Sequence, residues 1–151
     1  GMIADSAISV IAGQASNRGH KLVTNTEQAL YAGIDAVKDG VRVGDIAAAV
    51  QAVLNESGYG IVEDLVGHGV GHELHEEPNI PNYGIRGTGD TLKAGMTIAI
   101  EPMATLGGHK VYVDNDGWTV KTTDKSRAAH FEHTVLITDN GAEILTQAPV
   151  N

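Results

Sequence analysis

The sequence contains no cysteine. That excludes disulfides, thiolate metal sites and a cysteine nucleophile, and it leaves the redox compartment undefined. Aromatic residues make up only 4% of the 151 residues, so a core must be built from Ile, Val, Leu and Ala. Cations are scarce too: 10 Lys and Arg stand against 19 Asp and Glu, a net charge of −9. Binding to a phosphate backbone needs clustered Lys and Arg, so nucleic acid is not an expected partner. Such a surface serves solubility, or attracts cations and positively charged groups. No apolar run approaches the roughly 18 residues of a membrane helix. The start, Met2-Ile3-Ala4-Asp5, lacks the basic segment and long apolar stretch of a signal peptide. Together these absences imply no membrane partner and a cytoplasmic location.

Apolar residues amount to 42%, enough for the core of one domain spanning residues 1–151, a length typical of single domains at about 100–150 residues. Residues 5–12 read as a short strand closed by Gly13. Helical spacing begins near Thr24, where Thr24, Asn25 or Thr26 suits a cap, and runs to Lys38 through Leu30, Ile34 and Val37. A second helix is predicted from Asp45 to Ser57, with Ile46, Val50, Val53 and Leu54 as its apolar stripe. Residues 61–66 suggest a strand, and the Gly-, His- and Pro-rich residues 67–95 a long loop. Strands are then expected at 96–100, at 110–113 and 118–122 as a hairpin, at 130–137 and at 143–145. Helices first and antiparallel strands later make an α+β fold, with helices covering a sheet.

The densest chemistry lies in Gly67-His68-Gly69-Val70-Gly71-His72-Glu73-Leu74-His75-Glu76-Glu77-Pro78. Imidazole is the commonest protein ligand for transition metals. The spacing is too short for an H-E-x-x-H helix, which Pro78 and the glycines also oppose, and taken alone the segment reads equally well as a loop with incidental histidines. Two acids change that balance. Glu101 ends the run Met96-Thr97-Ile98-Ala99-Ile100, and Glu132 sits inside Phe131-Glu132-His133-Thr134-Val135-Leu136-Ile137. Burying an unpaired carboxylate in such strands costs several kcal/mol, and a divalent cation would offset that cost. Asp5 is a further candidate. Carboxylates with an imidazole make an oxygen-rich site suited to two divalent ions (Mn, Co, Fe or Zn) and to hydrolysis. Asp114-Asn115-Asp116-Gly117 hints at a calcium loop, but Thr123 stands where the bidentate Glu belongs, so it reads as a hairpin turn. His20, His109 and His130 have no company in sequence and are expected at the surface.

The motifs Gly67–Gly71, His75-Glu76-Glu77-Pro78, Ile100-Glu101-Pro102-Met103, Asp116-Gly117-Trp118-Thr119 and Phe131-Glu132-His133-Thr134 occur in the order and spacing of type I methionine aminopeptidases. The chain resembles that family from Asp5 onward. The resemblance implies the pita-bread fold, here mainly its C-terminal half, and removal of methionine from the N-termini of peptides and nascent proteins. It implies metal ligands at Asp5, His68, Glu101 and Glu132. It implies His75 and Glu101 as catalytic groups: His75 steadying the tetrahedral intermediate, Glu101 handling the proton of the attacking water. Trp118, His75 and Leu74 would touch substrate, although Leu74 stands where many members carry an aromatic. The family's other Asp ligand would lie upstream of Asp5. The chain therefore reads as a truncated enzyme of low activity, holding one ion or none where the family holds two, and self-associating to cover exposed strand edges. Work on nascent chains implies ribosome contact, for which no basic patch stands out. Two other readings are an X-Pro peptidase of the same fold, which Met103 argues against, and a non-catalytic binding module on that scaffold.

Overall fold

The computed structural model describes residues 1–148. Its first strand is brief: β1 covers Ser6–Ala7. Helix α1, Asn17–Asp35, begins seven residues before the predicted start, because Ser16 caps it by accepting a hydrogen bond from the Gly19 amide at 3.2 Å. Its buried face is Gly19, Leu22, Thr26, Ala29, Leu30, Gly33 and Ile34, one stripe at helical spacing. The predicted cap Thr26 lies inside it, its hydroxyl donating to the Leu22 carbonyl at 2.7 Å. Helix α2, Val43–Glu56, buries Ile46, Val50 and Leu54. Asp45 holds its first turn by accepting from the Arg42 amide at 3.1 Å. At Gly33 the two helices meet closely, since a Cβ there would lie 2.8 Å from Val50 Cγ2 and 3.2 Å from Ile100 Cγ2.

The remaining strands are β2 Gly60–Ile61, β3 Gly67–Gly69, β4 Glu76–Ile80, β5 Thr97–Ile100, β6 Met103–Thr105, β7 Val111–Val113, β8 Val120–Thr122, β9 Ala128–His130, β10 Glu132–Thr138 and β11 Gly141–Ile144. Five of them join β1 in one antiparallel sheet in the order β1-β10-β5-β3-β4, with β11 also on β10; β2-β6-β9 form a second sheet, and β7-β8 the expected hairpin. The predicted strand at 130–137 is broken at Phe131, where the chain passes from one sheet to the other. The partner ribbon makes the same passage at Glu101-Pro102, and the Phe131 amide donates to the Pro102 carbonyl at 3.3 Å.

The predicted loop at 67–95 needs correction, since β3 and β4 lie within it and belong to the main sheet. Glycine reads as loop, yet here it permits a close strand approach. A Cβ on Gly67 would lie 2.3 Å from the Ala99 carbonyl oxygen, and one on Gly69 2.3 Å from that of Glu77. Strand alternation then divides the sheet. Ile98, Ile100, Val135 and Ile137 join Leu30, Ile46, Val50 and Leu54 in the core. Residues of opposite parity face the other way, and these include His68, Glu101 and Glu132.

Gly67→Ala should therefore destabilise the protein by about 2–3 kcal/mol, the scale of overpacking. Gly141→Ala, where a Cβ meets nothing within 4 Å, should change stability by less than about 0.5 kcal/mol. Urea unfolding of the two variants measures the contrast.

Candidate metal centre

Register assembles the site. His68 pairs with Ala99 across β3 and β5, and Ala99 pairs with Thr134 across β5 and β10. Glu101 follows Ala99 by two residues, and Glu132 precedes Thr134 by two. A period of two puts all of these on one sheet face. Asp5 enters from β1 beside Thr134, whose buried hydroxyl accepts from the Asp5 amide at 2.8 Å and donates to the Asp5 carbonyl at 2.8 Å.

Ligand-capable atoms of Asp5, His68 and Glu132 lie within 4.8 Å of one another, and so do those of Glu101, His130 and Glu132. The His68 Nε2 is 3.6 Å from Glu101 Oε1. Its Nδ1 lies 2.9 Å from the Gly69 carbonyl oxygen. A carbonyl only accepts, so Nδ1 carries a proton and Nε2 is the ring atom turned toward the carboxylates, free to ligate through its lone pair once a cation is bound. The Glu101 carbonyl accepts from the Asn82 side chain at 3.0 Å, and Asn82 is itself buried.

Glu132 is only 4% exposed, and its Oε1 has no hydrogen-bond partner among the described residues. Burial, then the negative charges of Glu101 and Asp5, push its carboxyl up to about 8. An orphaned buried oxygen among carboxylates and an imidazole fits a divalent cation, which would satisfy the oxygen and cancel the repulsion.

The four residues proposed from sequence as ligands, Asp5, His68, Glu101 and Glu132, are thus brought together. His130 corrects an expectation: it is not a surface residue without company, since its Nε2 lies 3.2 Å from Glu101 Oε2. The available signal was its place two residues before Glu132, hence on the same side of a continuous ribbon. Ser9 and Asn82, which hold the backbones of His130 and Glu101, carried no sequence signal of their own. His75 stacks edge-on against His68 with ring centroids 4.4 Å apart. Together with Glu101, His130, Val62, Met103 and Tyr112 it lines a hollow of about 700 Å³. Leu74 is 42% exposed beside His75, and Trp118 is 87% exposed at the hairpin tip. Neither lines the hollow, to which that hairpin contributes Val111, Tyr112, Val120 and Lys121. His20, His72 and His109 are exposed.

A family model described as metallopeptidase family M24 matches residues 1–139. The chain belongs to this family. It is 45% identical over 144 residues to "Methionine aminopeptidase B" of Synechocystis sp., covering 95% of this chain and 53% of that protein. It is 44% identical to "Methionine aminopeptidase 1" of Bacillus subtilis, covering 95% and 58%. The crystal structure of methionine aminopeptidase from Thermotoga maritima superposes with a TM-score of 0.95 at 50% identity, covering 97% of this chain and 59% of that one. The prolidase from Pyrococcus furiosus gives 0.74 at 28% identity, covering 99% and 38%. The fold is accordingly the α+β pita-bread fold, and the methionine aminopeptidases are favoured over the X-Pro peptidases. The chain spans little more than half the length of the methionine aminopeptidases it matches, and 38% of the prolidase.

The sign of Glu132's pH effect follows from its raised folded-state pKa. Its contribution to stability is full below the ordinary value of 4.5 and is lost as pH rises through about 8. In metal-stripped protein, Glu132→Gln should match wild type near pH 5 and exceed it near pH 8 by a few kcal/mol, on the order of 1.4 per pKa unit. A divalent cation should stabilise wild type more than the variant. Thermal unfolding across that range, with and without metal, gives both comparisons.

Proposed function

We propose that this chain carries the metal-binding and catalytic groups of an aminopeptidase that removes N-terminal methionine from peptides and new proteins. The observation that carries the reading is the cluster of Asp5, His68, Glu101 and Glu132 beside a hollow lined by Glu101 and His75. Asp5, His68, Glu101 and Glu132 would hold Mn, Co, Fe or Zn, which when bound supplies an acidified water and polarises the scissile carbonyl.

The chain's own groups then have distinct tasks. Glu101 takes the proton as water adds to the carbonyl carbon and delivers it to the leaving amine when the C–N bond breaks. His75 donates to the oxygen on which negative charge develops, an electrostatic role that should raise kcat more than affinity. The wall formed by Val62, Met103 and Tyr112 receives the peptide as an apolar surface. Leu74 and Trp118 are assigned to the rim, where they would meet the methionine side chain. A binding module without catalysis would need neither the exposed His75 nor an orphaned carboxylate.

The reading places the work in the cytoplasm, on chains leaving the ribosome; among the described residues no helix is long and apolar enough to cross a membrane. Self-association is proposed through the N-terminal segment, where Ile8 and Val10 are 73% and 76% exposed. Sedimentation at two concentrations, with Ile8→Ser and Val10→Ser as controls, tests it: an unchanged coefficient defeats the idea.

The activity test is release of methionine from a Met-Ala-Ser peptide by the purified chain loaded with Co²⁺ or Mn²⁺. Release should depend on metal and stop when the peptide is N-acetylated. His75→Ala should lower kcat about 10²–10³-fold, the cost of one lost oxyanion donor, with metal content unchanged. Release no greater than that of Glu132→Gln would overturn the reading.

A further inference from the structure

We propose that His130 is a metal ligand, and that with Glu101 and Glu132 it forms a second cation position beside the one built from Asp5, His68 and Glu132. The proposal rests on the metal-centre reading above and extends it by a residue which that reading leaves idle.

Two buried atoms at this point have no hydrogen-bond partner among the described residues, His130 Nε2 and Glu132 Oε1. Buried polar atoms without partners are rare and call for an explanation. His130 Nε2 lies 3.2 Å from Glu101 Oε2, so a proton shared between those two would serve the imidazole. It would leave both oxygens of Glu132, a residue only 4% exposed, to the one cation at Asp5 and His68. A divalent cation at the point between them serves Glu101, His130 and Glu132 at once. The ligand-capable atoms of this trio already lie within 4.8 Å of one another. Bonds of about 2.1 Å to a central ion put two ligand atoms at most some 4.2 Å apart, and about 3.4 Å apart in a tetrahedron, so closure needs shifts of at most about 0.7 Å per atom.

His130 is held on a strand. It pairs with Met103 across β6 and β9. Its amide donates to the Ser9 hydroxyl at 2.9 Å, and that hydroxyl donates to the His130 carbonyl at 2.9 Å. The same segment that brings Asp5 to one trio therefore steadies the backbone of the other. Glu132 belongs to both trios and would bridge them.

The arrangement also bears on which metal is taken. Each position would offer one imidazole and two carboxylates. Imidazole suits Co, Ni, Zn and Fe, whereas all-oxygen ligands suit Mg, Ca and Mn. The second position should accordingly discriminate against Mn²⁺ more than an all-carboxylate site would.

The test is equilibrium dialysis of the metal-stripped chain against Co²⁺, with elemental analysis and the visible spectrum as readouts. Wild type should take up two equivalents. His130→Gln keeps a hydrogen-bonding amide but removes the imidazole. It should keep one equivalent and weaken the other about tenfold or more, losing the absorption of the second ion. Melting of the metal-free variant at the wild-type temperature shows that it is folded. His68→Ala should spare the His130 position. Two equivalents of wild-type affinity in His130→Gln would overturn the proposal, as would a single wild-type equivalent that the variant retains. Neither outcome touches the metal-centre reading, which fails only if wild type binds no cation.

Discussion

One desolvated carboxylate organises the centre of this molecule. Glu132 stands at the start of β10, almost fully buried, facing Glu101 and Asp5 with an oxygen that nothing among the described residues satisfies. Removing an unpaired carboxylate from water costs several kcal/mol, and two like charges nearby raise that cost. A fold can hold such a residue only if the strand bearing it is fixed by other means. Here the opposite face of the strand does so: Val135 and Ile137 are wholly buried with Ile98 and Ile100 beneath the two helices. Alternation separates the two demands, apolar burial on one face and a cation site on the other.

The neighbouring elements serve the same constraint. Gly67 and Gly69 let β3 approach β5 and β4 closely enough to set His68 beside the carboxylates. Thr134 clasps the backbone of Asp5 with one hydroxyl, and Ser9 clasps that of His130 with another. Each hydroxyl acts as donor and acceptor at once, so the short N-terminal segment is registered against β9 and β10 although regular pairing covers only Ser6 and Ala7. Asn82 adds a further restraint by reaching the Glu101 backbone.

Much of this was legible because acids in apolar strands are anomalous. Glu101 and Glu132 announced themselves by standing at the end of one apolar run and inside another, and α2 and the turn after Val113 by equally local patterns. What escaped notice depended on partners distant in sequence. β3 and β4 were hidden because close strand approach selects glycine, which looks the same as loop. The start of α1 was hidden because Gly19 and the polar residues around it weaken the helical pattern that the buried face completes. His130 was hidden because Phe131 ends one strand and begins another. Two sheets then share a single bent ribbon, and a residue assigned to the surface of one comes to face the site of the other.

That bend makes the two proposed cation positions unequal. His68 is fixed through its ring, since Nδ1 is bound to the Gly69 carbonyl and Nε2 has one direction to point. His130 is fixed through its backbone, by Ser9 and by pairing with Met103, and its ring stands on the wall of the hollow. A ligand oriented at the ring loses little freedom on binding an ion, whereas one anchored only at the backbone must still settle its side-chain torsions. The position at His68 should therefore fill first, and the position at His130 should be the weaker and the more responsive to what occupies the hollow. An arriving peptide would meet a fixed imidazole, that of His68, on one side and an adjustable one, that of His130, on the other. That asymmetry originates in one sheet passing into the next at Phe131.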